Sequence, residues 1–251
     1  MPCATRTIAK PYGSFEKTTP PMQIDEELRH RIGLALNEAT LLGVEFDKEK
    51  NLVACSFALV AMDKDGNVPE DNRLLFIFKP VGRFVASLRN GHWDDKNAEV
   101  EKFAPENILE IIQSFKGLSI YGWDFVNCGD KDFNTWKDRL SFDYSTDDNV
   151  GLNNTIDLFQ EGGNRHIDLR IWFDDFEILT PKYEPVNLDD FLENGKRGWD
   201  AVYSNNDKMN NFGIIPATAE NEQKLKSTIS KLTGEQEPNS WWTRIKEKIK
   251  K

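Results

Sequence analysis

The sequence contains, at residues 52–62, the segment LVACSFALVAM, which lies in the most densely apolar part of the chain, residues 44–90. In an extended chain alternate side chains point the same way, so Val53, Cys55 and Phe57 share one face. The residues between them are small or apolar as well. Because a strand that is apolar on both faces is usually covered above and below, the segment predicts a central strand.

The segments around this strand predict an antiparallel meander. The residues DKDGN at 63–67 are typical of a turn, and Asn90-Gly91 is a strong hairpin signal. Pro80 cannot donate a hydrogen bond to a strand ladder, so we expect a strand to end there. The expected strands are residues 44–47, 52–62, 74–78 and 84–88.

The rest of the sequence supplies helices and further strands. Apolar spacing and helix-end residues predict helices at 25–39, 105–117 and 133–140. Strands are expected at 118–127, 155–159 and 165–180, and the last two form a hairpin through the residues EGGN at 161–164. The sequence therefore predicts an α+β fold: a mostly antiparallel sheet of roughly six to seven strands, covered by helices, with a C-terminal extension.

The composition along the chain predicts three regions. Residues 1–22 contain four prolines and little apolar periodicity, which predicts a flexible N-terminal arm. Residues 23–181 form the expected α+β core domain. Residues 182–251 are polar, with a possible short helix at 188–193, and we expect them to form an extension that ends in a short basic amphipathic helix.

Charge and cysteine content restrict the possible functions. The net charge of −10 argues against a general nucleic-acid-binding protein and would suit a basic partner. The cysteines, Cys3, Cys55 and Cys128, are odd in number and follow no metal-ligand spacing. This pattern favours the cytoplasm, and we expect no signal peptide, no transmembrane helix, no bound metal and no cofactor.

The end of the chain has the composition of an amphipathic helix. Trp241, Ile245 and Ile249 follow helical spacing, Trp242 lies beside them, and most other residues of 241–251 are cationic. Such a helix suits docking on the protein's own acidic body, a partner protein or a membrane surface. The third possibility predicts a peripheral membrane protein anchored by residues 241–251.

One strand carries the residues that suggest a reaction. His166 and Asp168 share a strand face, and Asp174, Asp175 and Glu177 follow. This set predicts an oxygen-rich metal site or a general base, as in a metal-assisted hydrolase, with His166, Asp168 and Asp175 as the catalytic candidates. Arg170 shares the face of Asp168, however, and could simply pair with it.

The remaining candidates for a site are the adjacent residues His92 and Trp93, in a loop after the Asn90-Gly91 turn. The sequence contains none of the common nucleophile, phosphate-loop, dinucleotide or zinc-protease motifs. Our principal hypothesis is therefore a non-catalytic cytoplasmic binding protein that engages a protein partner through acidic loops and exposed aromatic residues. The hydrolase and the peripheral membrane protein are the alternatives.

Overall fold

The computed structural model describes residues 20–120, 124–147, 149–212 and 223. In this part of the chain a curled, mostly antiparallel sheet of eight strands packs with four α-helices, which confirms the α+β fold class. The strands are β1 (Thr40–Asp47), β2 (Leu52–Ala58), β3 (Arg73–Asn90), β4 (Glu99–Glu101), β5 (Phe142–Ser145), β6 (Asn154–Gly162), β7 (Arg165–Leu179) and β8 (Pro185–Val186). The helices are α1 (Glu26–Leu36), α2 (Ile108–Ser114), α3 (Phe133–Trp136) and α4 (Leu188–Tyr203).

The predicted meander is present at one end of the sheet, whose main strand order is β1-β2-β3-β7-β6. β2 lies between β1 and β3, and its residues Val53, Cys55 and Phe57 are fully buried in the main core. The strand ends at Ala58 instead of continuing to residue 62. The later residues Val60 and Met62 pack against α4.

β3 corrects the prediction of two separate strands at 74–78 and 84–88, because it is one strand of 18 residues that passes through Pro80. The pairing of β3 with β7 skips Pro80, and β3 bulges between Val81 and Arg83. Asp174 takes the register position opposite Pro80, and its carbonyl oxygen accepts hydrogen bonds from Met22 N at 3.0 Å and Asn154 Nδ2 at 3.1 Å. The pairing of the two strands thus continues on both sides of the proline.

The first helix agrees with its sequence signals. The Asp25 carboxylate accepts a hydrogen bond from Leu28 N at 2.8 Å and so caps α1, which buries Ile32 and Leu36 in the core. The predicted end at residue 39 is wrong by three residues, since Glu38 has a φ of 54° and leaves the helical conformation.

Two other predicted helices begin as expected but differ in length. The helix predicted at 105–117 begins as a 3-10 turn at Pro105–Asn107 and continues as α2. Gly117, with a φ of +68°, follows its end. The helix predicted at 133–140 is only the single turn of α3, Phe133–Trp136.

The segment 118–127 corrects another prediction, because its described residues form isolated bridges and no strand. Ser119 pairs with β1, and Ile120 and Val126 each pair with β6. By contrast, the hairpin predicted from the EGGN turn is confirmed as β6 and β7, which pair from Asn154 opposite Phe173 to Gly162 opposite Arg165.

The short helix predicted at 188–193 is also corrected, because α4 has 16 residues and packs on the body of the protein. Its residues Phe191 and Leu192 enter the main core, and Trp199 packs with Val60 and Met62. The main core thus includes residues of α4. No helix in the described ranges is long and apolar enough to cross a membrane.

Candidate functional site

The half of the sheet formed by β6, β7 and the end of β3 carries charged residues on one face. Their positions follow from the strand register: Asp157 lies opposite Arg170, His166 opposite Arg89, and Asp168 opposite Ser87. Because side chains alternate along a strand, the residues between them, such as Leu169 and Ile171, point into the core.

A groove of about 850 Å³ lies over this charged face, and we call it the charged groove. Arg89 and Asp168 line its floor, the loop that carries Trp93 forms one wall, and α3 with the residues that follow it forms the other. The α3 wall is held in place by apolar contacts, since Phe133 and Trp136 are buried against Val85 of β3.

Arg89 and Asp168 form a buried ion pair at one end of the groove. Arg89 is only 8% exposed, and its Nη2 donates a hydrogen bond to Asp168 Oδ2. Burial, and secondly the charge of Arg139, lower the pKa of Arg89 to about 10, so it is still a cation at neutral pH. Asp168 therefore neutralises an arginine instead of standing free as a base.

Arg170 and Asp157 lie at the other end. Arg170, 2% exposed, is 2.8 Å from the Asp130 carboxylate and 3.6 Å from that of Asp157. Its guanidinium carbon is 4.9 Å from the ring centre of Phe133, which is a cation–π contact. Burial raises the pKa of Asp157 to about 7, an effect that Arg170 opposes and the nearby Asp132 and Asp130 strengthen.

His166 is fully buried and supports the neighbouring loop. Its Nδ1 lies 3.0 Å from the carbonyl oxygen of Gly91, to which the neutral ring can donate a hydrogen bond. Burial lowers the pKa of His166, which favours the neutral ring. His166 thus fixes the point where the loop with His92 and Trp93 leaves β3.

His92 and Trp93, the predicted binding residues of this loop, lie on the surface next to the groove. Trp93 is 55% exposed and lines the groove mouth, with its ring centre 5.6 Å from that of His92. His92 Nδ1 is 2.6 Å from Asp94 Oδ1, and this hydrogen bond is the main reason that the pKa of His92 is raised. The loop thus presents an exposed indole beside charged groups.

The five residues proposed for a hydrolase do not come together. β7 is a strand of 15 residues, which spans roughly 50 Å at about 3.3 Å per residue, and His166 and Glu177 lie near its opposite ends. Within the described ranges no group of three or more His, Cys, Asp or Glu residues could hold a metal ion.

Each of the three distant acids already has a partner. Asp174 accepts a hydrogen bond from Asn153 Nδ2 at 2.6 Å, Asp175 accepts one from Phe176 N at 2.8 Å, and Glu177 lies 2.8 Å from Lys79 Nζ. Of the five, only Asp168 lines the charged groove. The predicted cluster is therefore wrong in its geometry, because an extended strand separates its members.

The predicted tail residues Trp241, Trp242, Ile245 and Ile249 lie outside the described residues, so their role stays a prediction. Conversely, the sequence interpretation missed Arg89, Arg139 and Asp157, which line the same groove only because of strand pairing and the return of the chain after α3. No local motif marks these three residues, although Asp157 alternates with apolar residues in a predicted strand.

Comparisons of the chain with protein-family models, with curated proteins and with solved structures found no match.

Proposed function

We propose that this chain is a non-catalytic cytoplasmic binding protein that engages a protein partner at the mouth of the charged groove. The observation that carries the proposal is the exposure of Trp93 at this mouth. Large aromatic side chains are frequent energetic centres of protein interfaces, since they bury much apolar area at a small cost in conformational entropy. An indole that lies 55% exposed beside a groove is suited to this role.

The carboxylates around the mouth of the charged groove support a basic partner. Asp94 and Asp95 line the groove next to Trp93, and Asp132 lines it near α3. Asp130, paired with the buried Arg170, has a side chain that is 69% exposed. Carboxylates around an aromatic anchor would attract a segment rich in Lys or Arg and speed its association.

The state of His166 and Asp168, two of the predicted catalytic candidates, supports binding over catalysis at these residues. Asp168 is paired with Arg89, and His166 is buried against the Gly91 carbonyl oxygen, so neither presents a free base to the groove. The free thiols of Cys55 and Cys128 support the cytoplasm as the place of action.

Replacement of Trp93 tests this proposal. The immobilised wild-type chain captures its partner from a lysate of its own cells, the partner is identified and purified, and its affinity is measured by calorimetry. Trp93→Ala is expected to weaken binding by about 2 kcal/mol or more, roughly thirtyfold, because it removes the anchor.

Tyr203→Ala is the matched control, since Tyr203 is another aromatic residue, is 50% exposed and lies at the end of α4, outside the groove. It should leave the affinity unchanged. Equal losses in both variants, or none in either, would place the partner elsewhere and refute the proposal.

A further inference from the structure

The Arg89 end of the charged groove carries more positive charge than the described carboxylates neutralise. Arg89 and Arg139 both line it, and the pKa of Arg89 is lowered in part by the charge of Arg139. Of the described carboxylates, only Asp168 forms an ion pair with either arginine. Arg139 donates instead to a neutral group, the carbonyl oxygen of Ala98.

The burial of Arg89 makes unpaired positive charge costly at this position. The Arg89 side chain is 9% exposed, and its Nε has no hydrogen-bond partner among the described residues. A buried cation with incomplete pairing loses solvation that its neighbours do not replace. A second anion at this position would restore the balance of charge.

The charged groups near these two arginines differ from those near Asp157. Near Asp157 the carboxylates of Asp130 and Asp132 add negative potential, which the buried cation of Arg170 opposes. Arg89 and Arg139 line the groove on the side of the loop that carries Trp93, where of these two guanidinium groups only Arg89 is paired with a described carboxylate, that of Asp168. Guanidinium groups present planar pairs of N–H donors, a geometry that matches the oxygens of carboxylates and phosphates.

We propose that Arg89 and Arg139 form a binding site for an oxyanion, the phosphate or carboxylate group of a small molecule. This site is distinct from the partner surface at Trp93 and does not depend on it. The organic part of such a molecule would lie toward Trp136, which lines the same groove.

Titration of the intact chain with inorganic phosphate, followed by two-dimensional NMR, tests the site. We expect saturable shifts at the amides of Ala98 and Arg139. Arg139→Gln should weaken phosphate binding at least tenfold, whereas Lys131→Gln, which removes the same charge from an exposed residue of the groove, should change it less than twofold. Absence of saturable binding, or equal losses in the two variants, would overturn the proposal.

Asp168→Asn should change the affinity for phosphate in the direction opposite to Arg139→Gln. It removes the carboxylate that competes for Arg89, so phosphate should bind severalfold more tightly, and weaker binding by a folded D168N protein would contradict the site. If D168N does not fold, Arg139→Lys tests the site instead. This variant keeps the positive charge, so it should bind phosphate more tightly than R139Q.

A parallel titration with phenyl phosphate distinguishes the two sources of the oxyanion. Tighter binding than inorganic phosphate would identify an organic anion as the occupant, while equal binding would identify the free ion. Either result supports the site, and failure of both anions to bind refutes it without affecting the partner surface at Trp93.

Discussion

Among the described carboxyl groups, Asp157 is the one whose pKa the fold shifts most. Its pKa is raised to about 7, whereas an aspartate in an unfolded chain has a pKa near 3.9. The folded protein therefore binds a proton at Asp157 that the unfolded chain has released between these two values. By linkage, the contribution of Asp157 to stability is largest below about pH 4 and is lost as the pH rises through about 7.

Asp157→Asn removes this titration and should make the protein relatively more stable at alkaline pH. Between pH 4 and pH 8, the free energy of unfolding of the wild type should fall relative to that of D157N by on the order of 2–4 kcal/mol. Urea unfolding of both proteins at several pH values measures the difference. A constant difference across this range would show that Asp157 ionises normally.

At the residue scale, the sequence could place His166 and Asp168 on one face, because alternation along a strand is local. The ion pair between Asp168 and Arg89 could not be predicted from the sequence, since that contact depends on the register between β3 and β7. The bulge after Val81 shifts this register, and its position has a local signal, Gly82, which our interpretation of the sequence did not use.

α4 is the element that shows most clearly how packing can override local preference. A Cβ atom added at Gly195 would lie 2.6 Å from the Cβ of Ala35 in α1, and one at Gly198 would lie 2.8 Å from the Val60 carbonyl oxygen. These two glycines let α4 approach α1 and the end of the β2 region closely. Helix propensity alone would favour alanine at both positions.

Gly195→Ala should therefore destabilise the protein by about 1–3 kcal/mol, even though alanine gains about 1 kcal/mol in helix propensity. Denaturant unfolding measures the change. Gly129→Ala is the control, because no atom lies within 4 Å of the added Cβ there. A G195A protein that is more stable than the wild type would show that the two helices can separate at little cost.

At the element scale, the meander, the β6–β7 hairpin and α1 could be predicted because each has a local signal. α4 also has a local signal, because Leu188, Phe191, Trp199 and Val202 follow helical spacing. Its many charged residues and its two glycines, however, are typical of a polar extension and hid that signal. The passage of β3 through Pro80 was not expected, because proline cannot donate to a strand ladder, yet the pairing with β7 continues on both sides of it.

Across the whole molecule, the net charge of −10 does not show that one groove carries many charges of both signs. Arginines, lysines and carboxylates line the charged groove together, and the exposed Trp93 lies at its mouth. The α+β class and the acidic surface could be predicted from composition and periodicity. The groove could not, because the loop after β3 and the segment around α3 form it only once the sheet has assembled.

The most direct test of the central claim is hydrogen–deuterium exchange of the full chain with and without its purified partner. If the partner binds at the charged groove, amides of residues 91–98 and 128–139 should exchange more slowly in the complex. Slower exchange confined to residues 42–56, which line a second groove at the β1–β2 end of the sheet, would contradict the account.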